Sequence, residues 1–301
     1  MKSSNFSSWL EAARLRTLPL ALASIITGSF MAASKGQYDW IVFGFSVITT
    51  VLLQVLSNFA NDYGDYQHGA DSDERKGPSR AVQSGMISPG VMKKGIIITM
   101  ALAFISGIVL LLYSLEFKGT NFWVFLLIGM AAIMAALFYT MGKKPYGYAG
   151  LGDLFVLIFF GLVGVLGTFY LYTGYINWPQ ILPSMSMGCF ATAVLNVNNI
   201  RDIKSDQIAG KMSIPVRIGR DKAIIYHWML MVFGSVCAGI YTLVEYYSNW
   251  QWIFLLAIPF LFLTAIGVTR NSEPRKLDPY LKRTALSVLL FALMFGLGLI
   301  L

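Results

Sequence analysis

The stretch "NFANDYGDYQHGADSDERKGPSR", residues 58–80, gathers five acidic and three basic side chains, and it follows "WIVFGFSVITTVLLQVLS", residues 40–57, which carries none. Crossing a hydrocarbon core takes about 20 apolar helical residues. The junction near Asn58 therefore reads as the end of a membrane span, with carboxylates collected where the helix leaves the bilayer.

Composition extends this reading to the whole chain. The 301 residues are 56% hydrophobic and 13% charged, against roughly 25% charged in an ordinary soluble domain. The mean hydropathy is +0.63. Runs without Asp, Glu, Lys or Arg cover residues 17–34, 40–61, 95–115, 119–142, 154–200, 223–244, 246–269 and 284–301. Seven of them suit one span each, and 154–200 has room for two around the turn-like "YINWPQ", residues 175–180. The expectation is an all-α polytopic membrane protein of nine transmembrane helices forming one domain over 1–301. Continuous apolar runs without alternation argue against a β-barrel.

Threading nine spans puts 21 of the 23 Lys and Arg on the amino-terminal side, leaving only Lys35 and Lys118 opposite. The positive-inside rule then predicts a cytoplasmic amino terminus and cytoplasmic long loops. The net charge of +8 follows from this topology and calls for no nucleic-acid partner. The first span resembles a signal peptide with "MAAS" as its cleavage region, but removing it breaks the charge pattern, so it is kept as a helix. Cys189 and Cys237 fall inside spans and read as packing residues.

The outer connections "KGQYD", "EFKGTN" and "YINWPQ" are barely longer than turns, so function is expected at the opposite, loop-rich face. Two stretches there echo each other, "SNFANDYGD" (57–65) and "NVNNIRDIKSD" (196–206), at the ends of the second and sixth spans. Their spacing suggests two related four-helix halves plus one extra helix. If each helix continues through its motif, Asn58, Asn61, Asp62 and Asp65 share one face, as do Asn198, Asp202 and Asp206. Two such faces brought together offer the oxygen ligands that a hard divalent cation such as Mg²⁺ takes, alongside the oxygens of a phosphorylated substrate. Basic residues flank them: Arg16, Arg75, Lys76, Arg80, Lys143, Lys144 and Arg201, of which Arg201 and Lys143 are favoured. Carboxylate, Mg²⁺, phosphate and Arg or Lys together bind and activate phosphoryl groups. Asp71, Asp73 and Glu74 read as solvated loop acids, His68 as a loop residue and His227 as a packed one. Two His residues in the whole chain supply neither a zinc site nor a Ser-His-Asp triad.

"NDYGD" and "RDIKSD", ending the second and sixth of nine helices, resemble the two aspartate-rich motifs of the UbiA superfamily of intramembrane aromatic prenyltransferases, and "YTMGK" (139–143) is similar to that family's Tyr-x-x-x-Lys element. "ARLRTLPLALA", "NFANDYGDYQHGAD", "KPYGYAGLGDLFVLIFFGLVGVLGTFYL" and "NNIRDIKSDQIAGKMSIPVRIG" resemble the branch that prenylates 1,4-dihydroxy-2-naphthoate in menaquinone synthesis. The ubiquinone-type pattern places a third Asp where this chain has Gly69, a departure that the menaquinone branch shares.

The resemblance implies a polyprenyl diphosphate with its tail along the helices. Its head would meet Mg²⁺ held by Asn61, Asp65, Asp202 and Asp206, helped by Asp62 and Asn58. Arg16, Lys143 and Arg201 would bind the diphosphate and Tyr139 would belong to the same element, with Asp65, Asp202, Arg201 and Lys143 as catalytic groups. Tyr146 and Tyr148 would shape the aromatic-acceptor pocket, and Asp153 would orient their loop or cap the fifth helix. A bacterial inner membrane is the expected location, with the site facing the cytoplasm. Other acceptors remain open at this point: homogentisate, 4-hydroxybenzoate and haem. So does a transporter, although transporters place their polar residues at mid-membrane, and here the acids cluster at span ends. A purely structural membrane protein would have no need of the paired Asp faces.

Overall fold

Asp39 starts the decisive helix. Its Oδ1 accepts from the amides of Ile41 at 2.6 Å and Val42 at 3.0 Å, an N-cap that satisfies donors the helix itself leaves unpaired. From there α2 (Trp40–Gln67) runs 28 residues without a break. At 1.5 Å per residue that is about 42 Å, against about 30 Å of hydrocarbon, so its end projects beyond the apolar layer. The last two turns carry Asp62 and Asp65.

The computed structural model describes residues 6–69 and 80–301. Lys2, Asp71, Asp73, Glu74, Arg75 and Lys76 lie outside the described residues. Among the described residues, nine helices are long and apolar enough to cross a membrane, and the chain is an integral membrane protein. Besides α2 they are α1 (Phe6–Ala33), α3 (Pro89–Ser114), α4 (Thr120–Phe138), α5 (Gly152–Thr173), α6 (Trp178–Arg201), α7 (Arg220–Val244), α8 (Asn249–Arg270) and α9 (Pro274–Ile300). The expected turn in the longest apolar run is there. Gly174 ends α5 in the left-handed conformation, and Asn177 with Gln180 form the capping box that opens α6.

Three helices depart from the sequence reading. α9 begins at Pro274, well before the charge-free run that opens at 284. α1 begins well before residue 17 and is interrupted at Arg14, the one described non-glycine residue at positive φ (50°). α6 does not pass smoothly into its motif. It ends at Arg201, Asp202 sits outside helical geometry (φ −97°, ψ 9°), and a short helix resumes over Ile203–Ile208. The i→i+4 bonds persist across the break, Asp202 N to Asn198 O at 3.1 Å and Asp206 N to Asp202 O at 2.8 Å, so it is a bend rather than a loop.

The larger apolar core is shared by α1 and α5 to α9 and is built on Phe169, Phe190, Met231, Tyr241, Phe254, Phe291 and Phe295. A smaller one joins the start of α1 to α2 and α3 through Phe59, Ile87 and Met92. Within the larger core α5 and α6 touch backbone to backbone. A Cβ on Gly161 would stand 2.6 Å from Ser184 O and 2.8 Å from Gly188 Cα, the small-residue contact that lets membrane helices approach closely. α5 widens into π-helical turns over Leu157–Gly167 along the same stretch. Cys189 and Cys237 are free and buried, and His227 is fully buried, as expected of packing residues.

Candidate active site

Between the two cores lies a cavity of about 420 Å³ lined by residues from α1 to α6. Its walls are mostly apolar, reaching Phe104 and Leu111 of α3, Phe125 of α4 and Leu171 of α5 toward the far ends of those helices. One end is polar, where Arg14, Asn61, Asp65, Arg80, Asn198 and Lys211 converge. A charged head joined to a long greasy shaft suits an amphiphile held head-first.

The two motifs meet at this head. Lys211 is the link: its Nζ lies 3.3 Å from Asp206, and it lines the same cavity as Asp65. Burial alone favours a neutral amine, but Tyr139 and the carboxylates of Asp206, Asp65 and Asp202 hold its pKa above the usual lysine value. Lys211 is therefore a buried ammonium. Three of the four motif carboxylates, Asp65, Asp202 and Asp206, each have a cationic partner, as buried charge requires. Asp65 pairs with Arg80 and accepts from Tyr148 Oη at 2.9 Å. Asp202 takes Arg201 side-on, Nε to Oδ1 at 2.8 Å and Nη2 to Oδ2 at 2.7 Å. Burial, then the Asp65 charge, push the Tyr148 phenol up, so it remains a donor.

The remaining candidates divide. Asn61 lines the head, its Oδ1 accepting from Thr140 Oγ1 at 3.2 Å. Asn58 lines the cavity on the hydrocarbon side, its amide committed to Ala13 O at 2.8 Å and Thr17 Oγ1 at 3.1 Å. Asp62 is turned away from the cavity, accepting from the backbone amides of Ala81 at 2.9 Å and Val82 at 3.2 Å. Arg16 reaches Asp278 at 3.4 Å, and Arg14 lines the head in its place. Arg201 sits behind Asn198, bonded to its Oδ1 at 2.8 Å and to Asp278 at 2.7 Å, with a side chain only 1% exposed. Lys143 is exposed and does not line the cavity.

Tyr139 and Tyr146 line the cavity edge to face, ring centroids 5.4 Å apart, and Tyr146 stacks on Phe155 at 4.0 Å. Asp153 lies buried in the first turn of α5 with Tyr226 of α7 as its partner. His68 is anchored by Gly142 O at 3.0 Å and leans on Tyr148. The Tyr148 loop is tied to the Lys211 loop, since Met212 N donates to Tyr148 O at 2.9 Å and Arg217 donates to Ala149 O at 2.8 Å. Lys211, Arg14 and Gln54 went unnoticed in the sequence. The only trace of Lys211 was its place in the same stretch as the second motif, after Gly210, whose φ of +72° turns the chain back.

Among the described residues no three carboxylate, His or Cys side chains converge into an all-protein metal cage. A cation that keeps waters and takes phosphate oxygens, with only one or two protein carboxylates, fits that arrangement. Asp65 lines the cavity, and Asp206 lies behind Lys211, close enough for both carboxylates to act on that ammonium.

Known proteins share both the sequence and the architecture. The model of the UbiA prenyltransferase family matches residues 21–286. The chain is 44% identical to a 1,4-dihydroxy-2-naphthoate octaprenyltransferase of Haemophilus influenzae, covering 100% of this chain and 98% of that one. It is 44% identical to the protein of the same name in Escherichia coli, over 99% of this chain and 96% of that one. A counterpart in Mycobacterium tuberculosis is 36% identical, over 96% and 95%. A UbiA homologue from Archaeoglobus fulgidus, solved with GPP and Mg²⁺, superposes with a TM-score of 0.64 at 16% identity, covering 96% of this chain and 99% of that one. By sequence across nearly its whole length, the chain belongs to the UbiA prenyltransferase family.

Proposed function

We propose that the chain is an aromatic prenyltransferase that moves a polyprenyl group from its diphosphate to 1,4-dihydroxy-2-naphthoate with loss of carbon dioxide, giving demethylmenaquinol. The supporting observation is a continuous cavity that joins an ionic head to an apolar shaft, in a chain 44% identical over its full length to enzymes named for this transfer. The isoprenoid lies in the shaft and the diphosphate in the head. Lys211, Arg80 and Arg14 face the diphosphate. Asp65 and Asp206, with Asn61 beside them and Asp202 released from Arg201, hold Mg²⁺, which when bound neutralises the departing diphosphate.

The carbon–oxygen bond to the allylic carbon breaks, and its electron pair leaves with the diphosphate. The carboxyl-bearing ring carbon then attacks the allylic cation to form the new carbon–carbon bond. The bond to the carboxylate breaks next, carbon dioxide departs, and that pair restores the aromatic ring. The apolar walls keep water from the cation, and the ring faces of Tyr139 and Tyr146 lie where they can stabilise positive charge.

The whole chain forms one domain in a bacterial inner membrane. Because 21 of its 23 Lys and Arg lie on one side, the amino terminus and the ionic head face the cytoplasm. The test is purified protein with geranylgeranyl diphosphate, Mg²⁺ and 1,4-dihydroxy-2-naphthoate, 4-hydroxybenzoate or homogentisate, with products identified by mass. Prenylated, decarboxylated naphthoquinol is expected, and turnover of either of the other acceptors alone would overturn the reading.

A further inference from the structure

Part of the cavity wall is left unexplained by a diphosphate head and an isoprenoid tail. On the hydrocarbon side of Asp65, α2 presents Asn58, Gln54 and Thr50 to the cavity. Polar side chains at membrane depth point to a polar ligand, and an isoprenoid offers them no partner.

One chain of hydrogen bonds sets their orientation. The single hydroxyl proton of Thr17 goes to Arg14 O at 2.9 Å. Thr17 Oγ1 can then only accept, so Gln54 at 3.2 Å and Asn58 at 3.1 Å must each turn an amide N–H toward it. Asn58 Nδ2 also donates to Ala13 O at 2.8 Å, which fixes its orientation a second time. Both amide oxygens are thereby left over, on residues that line the cavity. Among the described residues no donor reaches Gln54 Oε1 or Asn58 Oδ1.

The two residues are four apart on one helix, about 6 Å along its axis. The hydroxyls of a 1,4-dihydroxyarene stand para across one ring, a comparable separation. Asn58 is also about 10 Å along the axis from Asp65, which places such a ring on the hydrocarbon side of the diphosphate, beside the carbon that ionises. Two leftover acceptors therefore face a substrate with two O–H donors.

We propose that Gln54 and Asn58 form the subsite for the aromatic acceptor, Asn58 Oδ1, nearer the diphosphate, accepting from the 1-hydroxyl beside the attacking carbon and Gln54 Oε1 accepting from the 4-hydroxyl. The inference rests on the function proposed above. Those hydrogen bonds also draw the hydroxyl protons away from the ring, an interaction that strengthens as positive charge develops there during attack.

The test compares wild type with Gln54→Met, close in size but without an acceptor, and Gln54→Glu, which retains one. Turnover is measured with geranylgeranyl diphosphate, and 1-hydroxy-2-naphthoate, lacking one donor, serves as a competitive inhibitor. Wild type is expected to bind the dihydroxy acid on the order of tenfold more tightly than the monohydroxy acid, the magnitude of one such hydrogen bond in a buried site. In Gln54→Met that ratio falls to near unity, while KM for the diphosphate stays within about twofold. Gln54→Glu keeps the preference.

An unchanged ratio in Gln54→Met, or a parallel rise in both KM values, would overturn the subsite while leaving the proposed function standing. A wild type with less than about twofold preference would do the same without any variant. A wild type that never turns over the naphthoate would overturn both.

Discussion

Among the described residues, three carboxylates at or behind the cavity head are each held by a neighbouring cation: Asp65 by Arg80, Asp202 by Arg201 and Asp206 by Lys211. Such pairs avoid the large penalty of an isolated buried charge, and they leave carboxylates that can exchange a cationic side chain for a metal ion. Asp65→Asn should lower prenyl transfer by on the order of 10²-fold or more, the magnitude seen when a preorganised charge-stabilising group is lost. Membrane insertion and yield should be unaffected, which steady-state assays on purified protein will check. Lys211→Met should lower turnover far more than Lys143→Met, because only Lys211 lines the cavity; equal losses would relocate the diphosphate. Asp62 behaves differently, since its two oxygens hold the amides of Ala81 and Val82. Asp62→Ala should cost about 1–3 kcal/mol by stranding those buried donors, read as a lower thermal midpoint, with Asp62→Asn losing less. The residue types of both motifs were plain in the sequence. Which of them turn inward was not, because Asp62 and Asp65 differ by less than one helical turn and the choice rests on a loop about twenty residues away.

At the scale of elements, α2 positions the first motif and a single close contact sets where its end lies. A Cβ on Gly64 would stand 2.5 Å from Thr140 Oγ1 and 2.7 Å from the Thr140 backbone. Thr140 in turn shares its one hydroxyl proton between Ala60 O at 3.1 Å and Asn61 Oδ1 at 3.2 Å. Gly64→Val should force α2 away from the chain leaving α4 and lower stability by about 1–3 kcal/mol. Activity should fall by more than that loss implies, because Asn61 and Asp65 flank the residue that moves; thermal unfolding and turnover on the same preparation separate the two effects. The bend at Asp202 is the element-scale feature that periodicity did not reveal. An apolar repeat reports which face is buried, whereas this bend follows the side-on grip of Arg201 on Asp202 and its bond to Asp278 of α9, 77 positions along the chain.

For the whole molecule, function depends on the two largest apolar clusters staying apart; a third, small one around Val197, Ile200 and Val268 lies within α6 to α9. α1 and α5 to α9 share the larger of the two, the start of α1 with α2 and α3 share the smaller, and the cavity occupies the gap. Chelating Mg²⁺ should abolish transfer and its return should restore it. Inorganic pyrophosphate with Mg²⁺ should raise the thermal midpoint by mass action on the folded state, whereas no shift would argue against an ion-bridged head. Orientation has its own test, since Cys189 and Cys237 are buried. A cysteine at Lys118 should react with an impermeant thiol reagent from outside the cell, and one at Lys282 only in inverted vesicles.

The sequence by itself determined nine membrane helices, their boundaries to within a few residues in most cases, and the side on which the acids gather. Span length, charge-free runs and basic-residue asymmetry are local properties, set by the hydrocarbon thickness and the cost of charge inside it. Only the tertiary structure decided that Lys211 rather than Lys143 faces the cavity, that Arg14 takes the place expected of Arg16, and that Asn58 and Gln54 commit their amide N–H groups to Thr17. Those choices depend on contacts between residues distant in the chain, such as Asn58 with Ala13 and Met212 with Tyr148, and no spacing within a single helix encodes them.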